Sequence, residues 1–127
     1  MINIDWANPD KTIILWQNQG AMTSQEYAHA LQQSAALAES VDHTVGVIMD
    51  MRRAAGLPKN SFLLSRQVVE GQPKNMKITV LVSNSTFWEK VWGMMSRFHP
   101  ATHINIQFTT SIDEAYRLIN EQLEPSI

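Results

Sequence analysis

One local signal, present three times, constrains this chain more than anything else in it. Thr23-Ser24-Gln25-Glu26, Thr86…Glu89 and Ser111…Glu114 each place a hydroxyl residue three positions before a glutamate, just after a strand-like run. A hydroxyl so placed accepts from a free amide of the first helical turn, and the glutamate reaches back to the hydroxyl residue's own amide. The spacing therefore marks helix starts. Strand-like runs that feed helix starts imply parallel strands joined by right-handed crossovers.

The chain opens differently. Ile2, Ile4 and Trp6 alternate with polar residues, as in a half-buried strand. Asn8-Pro9-Asp10-Lys11 is a turn signal, because proline presets φ and Asn and Asp side chains satisfy nearby backbone groups. Thr12–Gln17 is the returning strand of a hairpin, and Gly20 breaks the pattern. The helix that starts at Thr23 places Tyr27, Leu31, Ser34, Leu37, Ala38 and Val41 on one face, with His29, Gln32, Gln33 and Glu39 opposite. Later strands are expected at Thr44–Met51, Met76–Ser83 and His103–Thr109, each followed by a helix, and Gly71–Asn75 reads as a loop.

The predicted order is β-β-α-β-α-β-α-β-α. In the later strands Ile78, Val80 and Val82 alternate with Lys77, Thr79, Leu81 and Ser83, and Ile104, Ile106 and Phe108 with His103, Asn105, Gln107 and Thr109. Strands covered equally on both faces tend to be apolar throughout. The expectation is thus an α/β fold: an N-terminal β-hairpin followed by βα repeats, forming a mostly parallel five-stranded sheet with helices mainly on one face and a semi-polar second face.

Composition narrows the function classes. The 127 residues, 44% of them hydrophobic, suit a single domain spanning 1–127. A net charge of −2 with 17% charged residues gives no bulk attraction to nucleic acid. The absence of cysteine excludes a disulfide framework and thiol catalysis. Met1-Ile2-Asn3-Ile4-Asp5-Trp6 has no basic region followed by an apolar run, so no signal peptide is expected, and no apolar run approaches a membrane span. The expected setting is cytoplasmic, with neither nucleic acid nor membrane as partner.

The segment from Thr44 to Leu64 carries the most specific pattern. Val45-Gly46-Val47-Ile48-Met49-Asp50 reads as a buried strand ending in aspartate; a basic Gly/Pro loop follows, then a helix start near Asn60-Ser61. In this order the chain resembles the STAS domain family, the sulfate-transporter and anti-sigma-factor-antagonist group, as a divergent member. The resemblance implies a right-handed β-α superhelix with an added N-terminal strand pair, acting in regulation rather than catalysis. It also implies that Ser61 lies close to the hydroxyl that a partner kinase phosphorylates in bacterial antagonists. Pro58-Lys59-Asn60-Ser61-Phe62 stands where that family has an acidic-hydroxyl-hydroxyl-glycine helix start.

Candidate sites follow from that segment. A phosphoryl-accepting role for Asp50 requires acidic magnesium ligands after the first strand and a lysine after the last. The chain has Gln17-Asn18-Gln19 and Thr109-Thr110-Ser111 there, so Asp50 is expected to bind loop amides or to pair with Arg52 or Arg53. Arg52, Arg53 and Lys59 sit beside the predicted helix start at Asn60 and Ser61, whose free amides favour an anion. The turns bearing Ser83, Ser85 and Thr109–Ser111 join the same carboxyl-end rim. A phosphate or acidic peptide would fit it; equally, the hydroxyls can be ordinary N-caps and the arginines solvated.

In the third helix, Phe87, Val91, Met94 and Phe98 form a stripe that Trp88, Trp92 and Met95 widen to about 160°, against the ~100° that covers a core. That surplus suits a homodimer or partner interface, and it equally suits a bulky helix wedged in a small core. His99 and His103 are separated by Pro100, and His29 and His43 have no partner at ligand spacing, so no metal site is expected. No G-x-S-x-G or G-x-G-x-x-G motif is present, and Asp113-Glu114 in a first helical turn has a capping explanation. The reading is a non-enzymatic, cofactor-free regulatory or interaction module. It would meet a protein partner through the Arg52–Ser61 rim and the third-helix surface. The alternative is a small-molecule binder, for an anionic ligand at the rim or an apolar one near Trp88 and Trp92.

Overall fold

The amino-terminal hairpin is fastened by one side chain. Strands β1 (Ile2–Trp6) and β2 (Ile13–Gly20) pair antiparallel, with Ile4 opposite Trp16 and Trp6 opposite Ile14. In the turn, Asn8 Oδ1 accepts from the amides of Thr12 (3.0 Å) and Ile13 (3.3 Å), and its Nδ2 donates to Thr12 Oγ1 at 2.6 Å. The structure is a computed structural model, and it describes residues 1–55, 73–84 and 105–123.

Helix α1 (Ser24–Glu39) begins where the capping signal places it. Glu26 N donates to Thr23 Oγ1 (3.0 Å) and Thr23 N to Glu26 Oε1 (3.2 Å), the reciprocal pair of a capping box. Tyr27, Ala30, Ser34 and Ala38 are its buried row, with Leu31, Leu37 and Val41 partly buried beside them, while His29, Gln32, Gln33 and Glu39 are exposed. The second box is half formed. Glu114 N donates to Ser111 Oγ at 3.3 Å at the start of helix α2 (Ile112–Leu123), but the Glu114 carboxylate turns to Arg117, which also binds Glu121. The third signal, Thr86…Glu89, lies outside the described residues, as do the second and third predicted helices and His103.

Strands β3 (Val45–Ala54), β4 (Met76–Val82) and β5 (Asn105–Thr109) complete a five-stranded sheet in the order β1-β2-β3-β4-β5, parallel from β2 onward. The hairpin, the βα repeats and the mostly parallel sheet match the STAS-like arrangement expected from the element order. Crossover helix α1 covers the face bearing Ile14, Trp16, Val45, Val47, Met49 and Leu81. The terminal helix α2 is no crossover, and its Ala115 and Ile119 pack on the other face, against Ile13, Ile48, Ile78, Val80 and Val82.

The alternation in β4 therefore separates two covered faces. Its semi-polar side is closed as well: Thr79 is 7% exposed, Leu81 1% and Ser83 8%. The loop before β4 also has a structural task that its composition does not announce. Asn75 Nδ2 donates to the carbonyls of Ala38 (2.7 Å) and His43 (3.0 Å), with Val41 O at 3.4 Å, and so closes the carboxyl end of α1.

Candidate functional site

The carboxyl end of β3 differs from the sequence expectation in one respect. Asp50 does not end the strand, and Arg52 and Arg53 are not in a loop; β3 continues through both to Ala54. The extension exists because β2 also runs on, to Gly20, and offers a partner edge: Gln19 pairs with Arg53 and Gly20 with Ala54. Gly20 ends this ladder at φ +68°, a backbone state suited to glycine, and its carbonyl accepts from Ala55 N at 2.9 Å. On the other side, pairing with β4 stops at Asp50–Val82. Among the described residues, the last four of β3 thus overhang the sheet, paired with β2 alone.

Between Gln17–Asp50 and Gln19–Arg53 the register shifts. One residue of β2, Asn18, stands opposite two of β3, Met51 and Arg52. Such bulges bend a strand and re-aim its side chains, and they are common beside functional sites.

Asp50 and Arg52, two apart on the strand, form a fork. Arg52 Nε donates to Asp50 Oδ1 and Nη2 to Oδ2, both at 2.9 Å, and the Arg52 amide adds a 3.2 Å bond to Oδ1. The Asp50 side chain is 16% exposed and that of Arg52 40%. These hydrogen bonds, against the opposing effect of burial, hold the Asp50 carboxyl below its ordinary range; the charge of Arg53 adds to the effect. The pairing is one of the two outcomes expected for Asp50, and it commits the Arg52 guanidinium. Arg53, exposed, makes no hydrogen bond or ion pair among the described residues.

The pair has a pH signature with a definite sign. A carboxyl whose folded pKa is depressed stabilises the fold above its unfolded pKa, about 3.9 for aspartate, and loses that contribution as pH falls through the folded value. Urea unfolding of Asp50→Asn and the parent is therefore expected to show a constant difference in midpoint from pH 7 to about pH 5, narrowing below about pH 4. A difference that stays constant down to pH 2.5 would show that Asp50 contributes by shape alone. Glu26 and Glu114 are also depressed, by the Thr23 cap and by Arg117 respectively, so only the comparison with the variant isolates Asp50.

The other predicted site residues divide in two. Ser83 follows β4 in a buried position, its amide donating to Thr109 O at 3.0 Å, so it underlies the rim. Thr109 Oγ1 accepts from Ser111 N at 3.3 Å, which gives that turn the capping role open to it. Lys59, Asn60, Ser61, Ser85, Trp88, Trp92 and Met95 lie outside the described residues. His43 Nε2 donates to the Lys11 carbonyl at 2.8 Å, and no group of three or more His, Cys, Asp or Glu suited to a metal occurs among the described residues. Nor, among those residues, is any helix long and apolar enough to cross a membrane.

Asn18 is the residue that motif reading passed over. It follows Ile14 and Trp16 in the buried phase of β2, so alternation alone places an amide in an apolar row; it is 3% exposed. Its Nδ2 donates to the Met51 thioether, and its Oδ1 has no partner.

No family model matches the chain, and no curated protein sequence does. Among solved structures, it is similar to the crystal structure of an uncharacterized protein of the DUF3478 family from Shewanella loihica, described as having a SpoIIAA-like fold. The two share 13% identity with a TM-score of 0.69, over 94% of this chain and 92% of the other. At that identity the likeness is one of fold, and the fold is STAS-like.

Proposed function

We propose that this chain is a non-enzymatic regulatory module that recognises a protein partner through the rim at the carboxyl end of β3. The observation that carries the reading is the β3 overhang, where the Asp50–Arg52 fork is fixed and Arg53 is left as an exposed, uncommitted cation. A charge held on a paired strand loses little conformational freedom on binding, which favours recognition of an acidic group on a partner. In this reading Arg53 meets that group, while Lys59, Asn60, Ser61 and Ser85 extend the rim. Trp88, Trp92 and Met95 of the predicted third helix supply the apolar part of the contact, to a partner or to a second copy. Phosphate on Ser61 would add negative charge to the rim in this reading and weaken the contact.

The test compares Arg53→Glu with Lys77→Glu, an equal charge change on an exposed residue at the opposite end of the sheet. Both variants should keep the parent melting temperature. Arg53→Glu is expected to weaken the partner recovered from the native host by about tenfold or more, measured with the purified partner, and Lys77→Glu to leave it within about twofold. Equal loss in both variants would reduce the effect to net charge, and no loss in either would remove the rim from the interface.

A further inference from the structure

Among the described residues, three side chains between the sheet and α1 bury a polar atom without a partner: Trp16 Nε1, Asn18 Oδ1 and Ser34 Oγ. The residues are 2%, 3% and 2% exposed. Native interiors satisfy the great majority of such atoms, so three in one layer call for a physical cause. Two of the three are adjacent. Trp16 and Asn18 are next neighbours on one face of β2, about 7 Å apart along the strand. Tyr27 of α1 sets its ring edge-on to Trp16, centroids 6.2 Å apart, while Ser34 lies two turns further along the same buried helix row, toward the amino end of the sheet and away from Asn18.

The chemistry of the set is specific. An indole N–H only donates and an amide oxygen only accepts. The amide nitrogen of Asn18 is spent on the Met51 thioether, a weak acceptor. Around them lie Met22, Met49 and Met51, unbranched side chains that re-pack readily. No buried residue among those described carries a charge, which argues against an ionic occupant. The bulge of β3 opposite Asn18 also gives this end of the layer an irregular backbone.

We propose that the layer between α1 and the carboxyl end of β2 and β3 is a binding site for a small neutral molecule carrying a primary amide or an equivalent donor–acceptor pair. The ligand's N–H donates to Asn18 Oδ1, and its carbonyl accepts from Trp16 Nε1. The site is closed without ligand, since these atoms have no contact with solvent, and displacement of the methionines admits the ligand. Asn18 is then kept for binding at the expense of folding.

Two measurements test this. The first is the melting temperature of Asn18→Leu, which removes the unpaired oxygen in an apolar shell; a rise of about 4 °C is expected. Asn18→Ala removes the same oxygen and covers the case in which leucine is too large for the space. The second is titration with benzamide, followed through the Trp16 indole N–H cross-peak, assigned among the four tryptophans with Trp16→Phe. Benzamide should shift that peak saturably in the parent and leave it unmoved in whichever Asn18 variant folds, and benzoate should leave the parent unmoved. The proposal is overturned if both variants melt below the parent, if benzamide gives no shift, or if benzoate or an Asn18 variant gives the same shift.

Discussion

Gly46→Ala is expected to lower stability by about 2 kcal/mol, as a reduced urea midpoint with an unchanged slope. Gly46 lies in β3 between Val45 and Val47, which face α1, so an added methyl would point toward α2. There it would stand 2.5 Å from Ile119 Cγ2 and 3.2 Å from both Cδ1 and Cγ1. Carbon pairs pack best at about 3.5–4.0 Å, so about 1 Å must be recovered at the nearest contact. Cγ2 cannot yield cheaply, because it branches at the β-carbon and isoleucine holds one strongly preferred χ1 in a helix. Either α2 lifts from the sheet or Ile119 leaves its rotamer.

A second substitution separates this clash from a general intolerance of alanine in the strand. Ile119→Leu removes the β-branch and should itself cost under about 1.5 kcal/mol. The double variant should then be more stable than the sum of the single effects predicts, by about 1 kcal/mol. Strict additivity, or a Gly46→Ala effect below about 0.5 kcal/mol, would show that α2 is not held at this height by the glycine. The contact also bears on the candidate site. Asp50, Arg52 and Arg53 are carried on the same strand, four to seven residues further on, and α2 is what buttresses β3 from that face.

What could be read in advance was local. The Thr23–Glu26 box declares itself because both partners lie within one helical turn, and Asn8 announces its turn for the same reason. The overhang of β3 was not legible, because two arginines after an aspartate resemble a solvated loop. Their strand state depends on Gln19 and Gly20, more than thirty residues earlier. The semi-polar phase of β4 misled in a related way: Thr79 and Ser83 suggest an open face, yet packing covers them. At the site, the Asp50–Arg52 pairing was one of two foreseen outcomes, since residues two apart on a strand share a face. Asn18 required its phase in β2 to be taken as seriously as the apolar residues before it.

Asn75→Ala should cost about 1.5–2 kcal/mol, because the side chain supplements the Ser40 cap at the end of α1, whose hydroxyl donates to Leu37 O. The last carbonyls of a helix have no partners within it, and α1 ends at Ser40 in ordinary right-handed geometry, with no basic residue in its last turn. Asn75 Nδ2 supplies donors to Ala38, 37 residues away, at 2.7 Å and to His43, 32 residues away, at 3.0 Å. The Asn75 carbonyl meanwhile accepts from Val45 N at 2.8 Å, so one residue ties the end of α1 to the starts of β3 and β4. Asn75→Asp should be worse, by about 1 kcal/mol more, since it keeps the shape but turns an acceptor with negative charge toward carbonyl oxygens. Equal losses in the two variants would mean that the packing of the loop, rather than the donated bonds, sets the effect. Hydrogen exchange adds a spatial test: protection should fall first at Val45 and Ser40, at the amino end of the sheet and the end of α1. The Asp50–Arg52 fork lies at the opposite end of β3, so the pH dependence assigned to Asp50 should survive in Asn75→Ala unchanged.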